Sequence, residues 1–200
     1  KRTFKLMAIT SNVSTFLTKV SQGVRPNMYK VDINFPTTSD DVDKELVSFM
    51  CKSATLPASN VGVIEVPFRG RTVKIAGDRT FDNWSATFIN DKDFKARSYF
   101  EKWLNEINTH QANTANIIDP TQYGRTVIIK QLEKDASTAG DELRSYKLWY
   151  AFPTSASAID LAYDSNDQIE EFSVEFQYSY WTVGGTGDES IAGRSGIAIA

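Results

Sequence analysis

From Glu171 to Tyr180 the chain alternates without a break. Phe172, Val174, Phe176, Tyr178 and Tyr180 fall on one side, and Glu171, Ser173, Glu175, Gln177 and Ser179 on the other. Successive side chains of a strand point to opposite faces, so a period of two presses one apolar face onto a core and leaves a polar face outside. The spacing predicts one strand over 168–181. "MYKVDINF" repeats the pattern, with Tyr29, Val31, Ile33 and Phe35 opposed to Lys30, Asp32 and Asn34. "RTVIIKQLE" (125–133), "LRSYKLWYAF" (143–152) and "WSATFI" from Trp84 supply further strands. In "LVSFMCKSA" a strand would put Val47, Phe49 and Cys51 on one face, Cys51 as a small buried hydrophobe. Residues 61–76 read as two β arms around Gly70, and Pro67 favours an edge or a departure from the sheet. Such an arm can project.

Helical spacing occurs twice. In "NDKDFKARSYFEKWLNEI", Asn90 and Asp91 are candidate caps and Phe94, Phe100, Trp103, Leu104 and Ile107 follow at near-helical intervals. Near the start, Leu6, Ile9, Val13, Phe16, Leu17 and Val20 recur as on an amphipathic helix that docks on something. Three regions result: an N-terminal helical arm (1–24), a β domain (25–183) and a Gly-rich tail (184–200) expected to be mobile until a partner orders it. The whole is an antiparallel β domain of roughly seven or eight strands with one packed helix. A chain of 200 residues suits one sizeable domain.

Composition narrows the chemistry. Cys51 is the only cysteine, so no internal disulfide framework exists, and no Cys/His spacing resembles a zinc site. The one histidine, His110, sits in the polar stretch "NTHQANTAN" as a solvated loop residue, far from Cys51 and from any acidic pair. Triad and His-metal chemistry thus have little to work with, and no cofactor or metal is implied. "GGTG" lacks the Lys-Ser/Thr continuation of a phosphate loop. With 22 basic and 25 acidic residues the formal charge is -3, not the basic excess of a nucleic-acid binder. No apolar run approaches the roughly 20 residues of a membrane-spanning helix. A hydrolase built on Glu170 and Glu171, or on Asp40 and Asp41, is the enzymatic alternative. Adjacent strand residues diverge, however, and 40–41 lies in a solvated loop.

The order of motifs resembles a known family. "RPNMYKVDI" (25–33), "CKSATLP" (51–57), "IEVPFRGRTVKIAGDRTFDNW" (64–84), "ATFINDKDFKARSYFEKW" (86–103) and "IEEFSVEFQYSYW" (169–181) are similar to the tail tube proteins of contractile-tailed bacteriophages. The resemblance implies two packed antiparallel β-sheets with a flanking helix. It implies six-subunit rings whose sheets join into one barrel and stack as the inner tube of the tail, within a contractile sheath. Self-association, the sheath, a baseplate tube-initiator, a tail terminator, the tape-measure protein and the transient, non-specific passage of DNA are the implied partners. Localisation to the virion after assembly in the host cytoplasm follows, with no enzymatic activity. Type VI secretion tubes, extracellular injection machines and baseplate tube-initiators share the fold and stand as alternatives.

Within that framework "GDRTFDNW" is the candidate junction between subunits. Gly77 would let the chain reverse with φ > 0, Asp78 and Arg79 would supply a bidentate charge pair that fixes register, and Thr80 and Phe81 lead into the next strand. Trp84 belongs either to that junction or to the subunit's own core. Candidates for ring stacking are the acidic loop 37–45, with Thr38, Ser39, Asp40, Asp41 and Asp43, and the arm at Pro67, Arg69 and Arg71. Candidates for the channel wall are Lys30, Asp32 and Asn34 on one strand and Glu171, Ser173, Glu175 and Gln177 on another. A conduit for DNA must not bind phosphates, so a wall that is neutral to acidic is expected.

Overall fold

A computed structural model of the chain describes residues 13–21, 23–36, 43–133 and 142–184. Among these the elements are α1 (Val13–Ser21), β1 (Tyr29–Ile33), α2 (Lys44–Met50), β2 (Cys51–Ala54), β3 (Asn60–Phe68), β4 (Arg71–Thr80), β5 (Trp84–Ile89), α3 (Lys95–Ile107), α4 (Pro120–Tyr123), β6 (Arg125–Leu132), β7 (Glu142–Ala156), β8 (Glu171–Gln177) and β9 (Tyr180–Gly184). All pairings are antiparallel.

The architecture turns on β7, whose 15 residues serve two sheets. Its first part pairs with β6, which carries β1, and on the other edge with β9. Its last part pairs with β8, which carries β5 and then β2. The handover lies at Tyr150, whose φ of 54 places it in the left-handed region. There β7 gains one residue against β6, since Arg125 faces Ala151 while Val127 faces Leu148. Such a bulge bends a strand and sharpens its twist, which lets one strand feed two sheets. Opposite the bulge, the single strand expected over 168–181 is broken. β8 stops at Gln177, the Ser179 N–H donates to the Trp149 carbonyl at 3.0 Å, and β9 starts at Tyr180. Tyr180 is accordingly exposed and stacks on Trp149, instead of continuing the buried row of Phe172, Val174, Phe176 and Tyr178.

The alternating residues do bury as the sequence requires: Val31, Ile33, Val127, Ile129, Leu148, Ala86, Phe88, Phe172, Val174 and Phe176 are all in the core. Helix α3 supplies Tyr99, Phe100 and Trp103 to it. Phe100 is wholly buried, and its ring meets those of Phe35, Phe88, Phe172 and Phe176 at 5.0–6.1 Å. Asp91 caps α3 as expected, its Oδ1 accepting the Ala96 N–H at 3.0 Å, while Phe94 takes the N-cap position in a left-handed conformation. Loops are pinned by indoles: Trp84 Nε1 donates to the Thr55 carbonyl at 2.6 Å, Trp103 Nε1 to Tyr123 at 3.0 Å and Trp181 Nε1 to Ala58 at 3.1 Å.

One expected strand is partly a helix. Lys44–Met50 form α2, with the Asp43 carboxylate accepting the Leu46 N–H at 3.0 Å and Glu45 in the first turn. Positions two apart on a helix face away from one another, so Val47 is buried at 1% exposure while Phe49 is exposed at 83%. Cys51 begins β2 and is half-buried, and burial pushes its thiol up to about 12. A neutral thiol is a poor nucleophile. In dispersed subunits at pH 8, maleimide labelling of Cys51 is therefore expected to run about a thousandfold slower than for an exposed cysteine. It should reach the ordinary rate in urea, and rapid labelling of the folded chain would refute this burial.

Candidate assembly site

Strands β3 and β4 form a hairpin that pairs with no other strand among the described residues. The turn is two residues long, Arg69 and Gly70, with φ of 46 and 78, and Phe68 faces Arg71 across it. Positive φ at both positions is the turn whose twist matches that of a hairpin. This is the arm centred on Gly70 that the sequence suggested. Register sorts its side chains by face. Ile64 pairs with Ile75, Val66 with Val73 and Phe68 with Arg71, whereas Glu65 pairs with Lys74 and Pro67 with Thr72. Ile64, Val66, Phe68, Val73 and Ile75 thus lie on one face, yet each is between 42% and 61% exposed. On the other face Lys74 and Glu65 form an ion pair of 3.5 Å. The hairpin is amphipathic, and its apolar face is bare.

Gly77 does not reverse the chain. It lies within β4, and its φ is not positive. Here Val61 faces Arg79 while Val63 faces Ala76, so β4 carries an extra residue at Gly77 and Asp78. A Cβ at Gly77 would meet the Gly62 carbonyl carbon and oxygen at 3.2 Å and Ile64 Cγ1 at 3.3 Å. The glycine permits the close approach of two strands at a bulge. Asp78, Arg79 and Thr80 are exposed, and no ion pair among the described residues involves Asp78 or Arg79. As strand neighbours they point to opposite faces, so one subunit cannot offer them as a pair to a single site. Phe81 is half-buried, its ring 5.8 Å from that of Tyr178. Trp84 is 1% exposed beside Phe176, so it belongs to the subunit's own core and not to a junction.

The expected stacking residues separate. Pro67, Arg69 and Arg71 sit at the hairpin tip, with the Arg69 guanidinium 5.3 Å from the centre of the Phe68 ring. Asp43 caps α2. Thr38, Ser39, Asp40 and Asp41 lie outside the described residues.

Two polar faces are candidates for a channel wall. On the outer face of β1 and β6, Asp32 lies 3.3 Å from Lys30 and 3.4 Å from Lys130, which reaches Glu142 at 2.5 Å. The hydrogen bond that Lys130 donates to Glu142, then the nearby carboxylate charges, hold Lys130 protonated above the usual lysine range against the effect of partial burial. Asn34 follows, its N–H bonded to the Thr126 carbonyl. On the other sheet, Glu171, Ser173, Glu175 and Gln177 project outward from β8 beside Ser85 and Thr87 of β5. Glu171 is neutralised by Lys52 at 2.5 Å, Ser173 meets Thr87 at 3.3 Å, and Gln177 bonds to Asn83. Glu175 is the exposed charge of this face.

Glu170 and Glu171 do not converge, because Glu170 accepts from Asn90 Nδ2 at 3.0 Å while Glu171 turns to Lys52. His110 is exposed, and among the described residues no cluster of His, Cys, Asp and Glu is placed to hold a metal ion. In α1, Val13, Phe16, Leu17 and Val20 are 56–70% exposed, an apolar stripe that no other described residue covers. Sequence reasoning missed the segment 157–170, where Leu161, Tyr163 and Ile169 stand 69–108% exposed among acidic residues. Its signal was present as bulky apolar residues inside a polar loop.

A family model described as phage tail tube protein matches residues 24–184. The chain is 35% identical over 157 residues to the tail tube protein gp19 of Enterobacteria phage T4, spanning 78% of this chain and 90% of that protein. Among solved structures, a chain of the anti-feeding prophage baseplate, 6-fold symmetrised, superposes with a TM-score of 0.60 at 12% identity, covering 83% of this chain and 98% of that one. A chain of an extracellular contractile injection system sheath-tube complex does so at 0.56 and 16% identity, covering 87% and 99%.

Arg79→Ala and Trp84→Ala separate surface from core. In dispersed subunits, Arg79→Ala is expected to change unfolding stability by less than about 0.5 kcal/mol, and Trp84→Ala to cost about 3–5 kcal/mol. Urea titration followed by circular dichroism measures both. A large loss from Arg79→Ala would place that residue inside the subunit's own fold.

Proposed function

This chain belongs to the phage tail tube protein family and is a virion structural component, and on that footing we propose how its surfaces work. Copies close into six-membered rings that stack into a hollow tube, through which genome and tape-measure protein pass. A sheath surrounds the tube, a baseplate initiator starts it and a terminator ends it. The chain contributes structure and no catalytic turnover. The observation that carries this reading is the bare face of the β3–β4 hairpin, because five apolar side chains on one face need a partner that the described residues of one subunit do not supply.

The sheet edges support the same reading. β1 and β2 end the strand path, so their outer edges are unpaired among the described residues. Such edges are an aggregation hazard in a monomer and become joints when a ring closes. The stripe of α1 is a third surface for a neighbouring copy to cover. Arg79, exposed near the hairpin base, is proposed to pair with a carboxylate of the adjoining subunit.

For the channel wall the outer face of β5 and β8 is the better of the two candidates. Its hydroxyls and amides are mutually bonded, and its one lysine is neutralised by Glu171. Lysines that gain affinity by releasing counterions from DNA are thereby avoided. On the outer face of β1 and β6, Lys30 and Lys130 are only matched by Asp32 and Glu142, so that face lacks the excess acidity that Glu175 gives the other.

Negative-stain electron microscopy of the purified protein is the first test: tubes with an axial hole are expected, and a monodisperse monomer with catalytic turnover would overturn the reading. The wall is tested by Glu171→Lys with Glu175→Lys, which should leave tubes intact but slow genome ejection, most at low salt. Unchanged low-salt kinetics in virions shown to carry the variant would remove this face from the channel.

A further inference from the structure

Two features with exposed apolar side chains, the hairpin and the segment 157–170, sit at opposite ends of one sheet. β5 runs from Trp84, paired with Phe176, to Ile89, paired with Glu171. The hairpin base lies at the Trp84 end, where Asn60 faces Thr80 and bonds to Asp82. The segment 157–170 lies at the other end, bracketed by the Ser157 N–H on the Ser173 carbonyl at 2.8 Å and the Asn90 N–H on the Glu170 carbonyl at 2.9 Å.

Their charges are opposite. The hairpin tip carries Arg69 and Arg71, and between Pro67 and Val73 there is no acidic residue. The far segment carries Asp160, Asp164 and Asp167, followed by Glu170, and between 157 and 170 there is no Lys or Arg, the nearest guanidinium being that of Arg97 on the Ser157 carbonyl at its start. Each side also offers exposed apolar bulk, Phe68 at 61% on the tip and Leu161 and Tyr163 at 81% and 108% on the segment. Beside the segment, a cavity of about 970 Å³ is lined by Ile159, Leu161, Tyr163 and Ile169 together with Asp160 and Glu170.

We propose that the occupant of this acidic, aromatic cavity is the hairpin tip of a second copy, in the next ring along the tube. The inference rests on the tail tube reading and names the acceptor for its projecting arm. A patch at one end that fits a different patch at the other makes a heterologous contact, which does not close and extends along one axis. Opposite charges at the two ends also reject the reversed arrangement, because tip against tip or segment against segment repels. The same pair of surfaces thus sets both the stacking and the polarity of the tube.

Reversal and rescue test the pairing. Arg69→Glu with Arg71→Glu, and separately Asp164→Arg with Asp167→Arg, should each stop assembly at single rings or short stacks, scored by electron microscopy and sedimentation. All four changes in one chain should restore long tubes. Normal tube length in either reversed pair would overturn the proposal, as would four-fold variants that fold by circular dichroism and still fail to stack. Tubes that form normally from Asp164→Arg with Asp167→Arg but no longer recruit sheath would assign the segment to another partner and equally overturn it. If a reversed chain does not fold, Arg71→Cys with Asp164→Cys in a Cys51→Ser background decides. Oxidised tubes should give covalent ladders longer than one ring, and their absence counts against the contact. Failure of the unaltered protein to form any tube would instead defeat the tail tube reading.

Discussion

A hairpin with one apolar face cannot cover that face itself, and this constraint orders the rest of the molecule. Complete burial of a Val, Ile or Phe side chain contributes about 1.5–3 kcal/mol. With Ile64, Val66, Phe68, Val73 and Ile75 about half exposed, each hairpin withholds about 4–7 kcal/mol until it meets a partner. Association of two proteins costs about 4–15 kcal/mol. One hairpin is therefore marginal for an isolated pair of subunits, whereas the several hairpins that one ring presents to the next act together. The magnitude favours subunits that stay apart until a ring or template gathers them.

The exposed arm is tolerable because the body that carries it is rigid. Phe100 draws the aromatic rings of both β5 and β8 onto α3, and the indole of Trp84 fixes the chain entering the hairpin through Thr55. At the base, the bulge at Gly77 sets the direction in which the arm leaves, because the added residue twists one strand against the other. β7 plays the corresponding part inside the body, its left-handed Tyr150 passing the strand from one sheet to the next.

The fold was legible wherever alternation was intact. Strands β1, β5, β6, β8 and the hairpin follow from period two and from one Arg-Gly turn. Helix α2 was not, because Val47, Phe49 and Cys51 satisfy a strand pattern as well as they satisfy a helix end. The capping Asp43 with Glu45 behind it was the signal that decides between them. The break before β9 was hidden because a bulge on β7 leaves no mark on the partner strand. In the site, the projecting arm is visible as a proline near a turn, but the part of Gly77 is not: a glycine beside Asp suggests a turn, and only the register shows the close approach to Gly62. Trp84 could not be assigned from sequence, since an indole suits core and interface alike. The acidic segment 157–170 escaped notice because it has no period, and its meaning lies in its position opposite the hairpin.

The central claim, that the bare hairpin face is covered by another copy, is tested most directly by amide hydrogen exchange of residues 61–75 in dispersed subunits and in assembled tubes. A two-stranded hairpin packed on nothing else is marginally stable, so its amides should exchange fast in the subunit, while those of β5 and β8 exchange slowly. In tubes the hairpin should become as protected as those core strands. Equal, rapid exchange of the hairpin in both states would contradict the account.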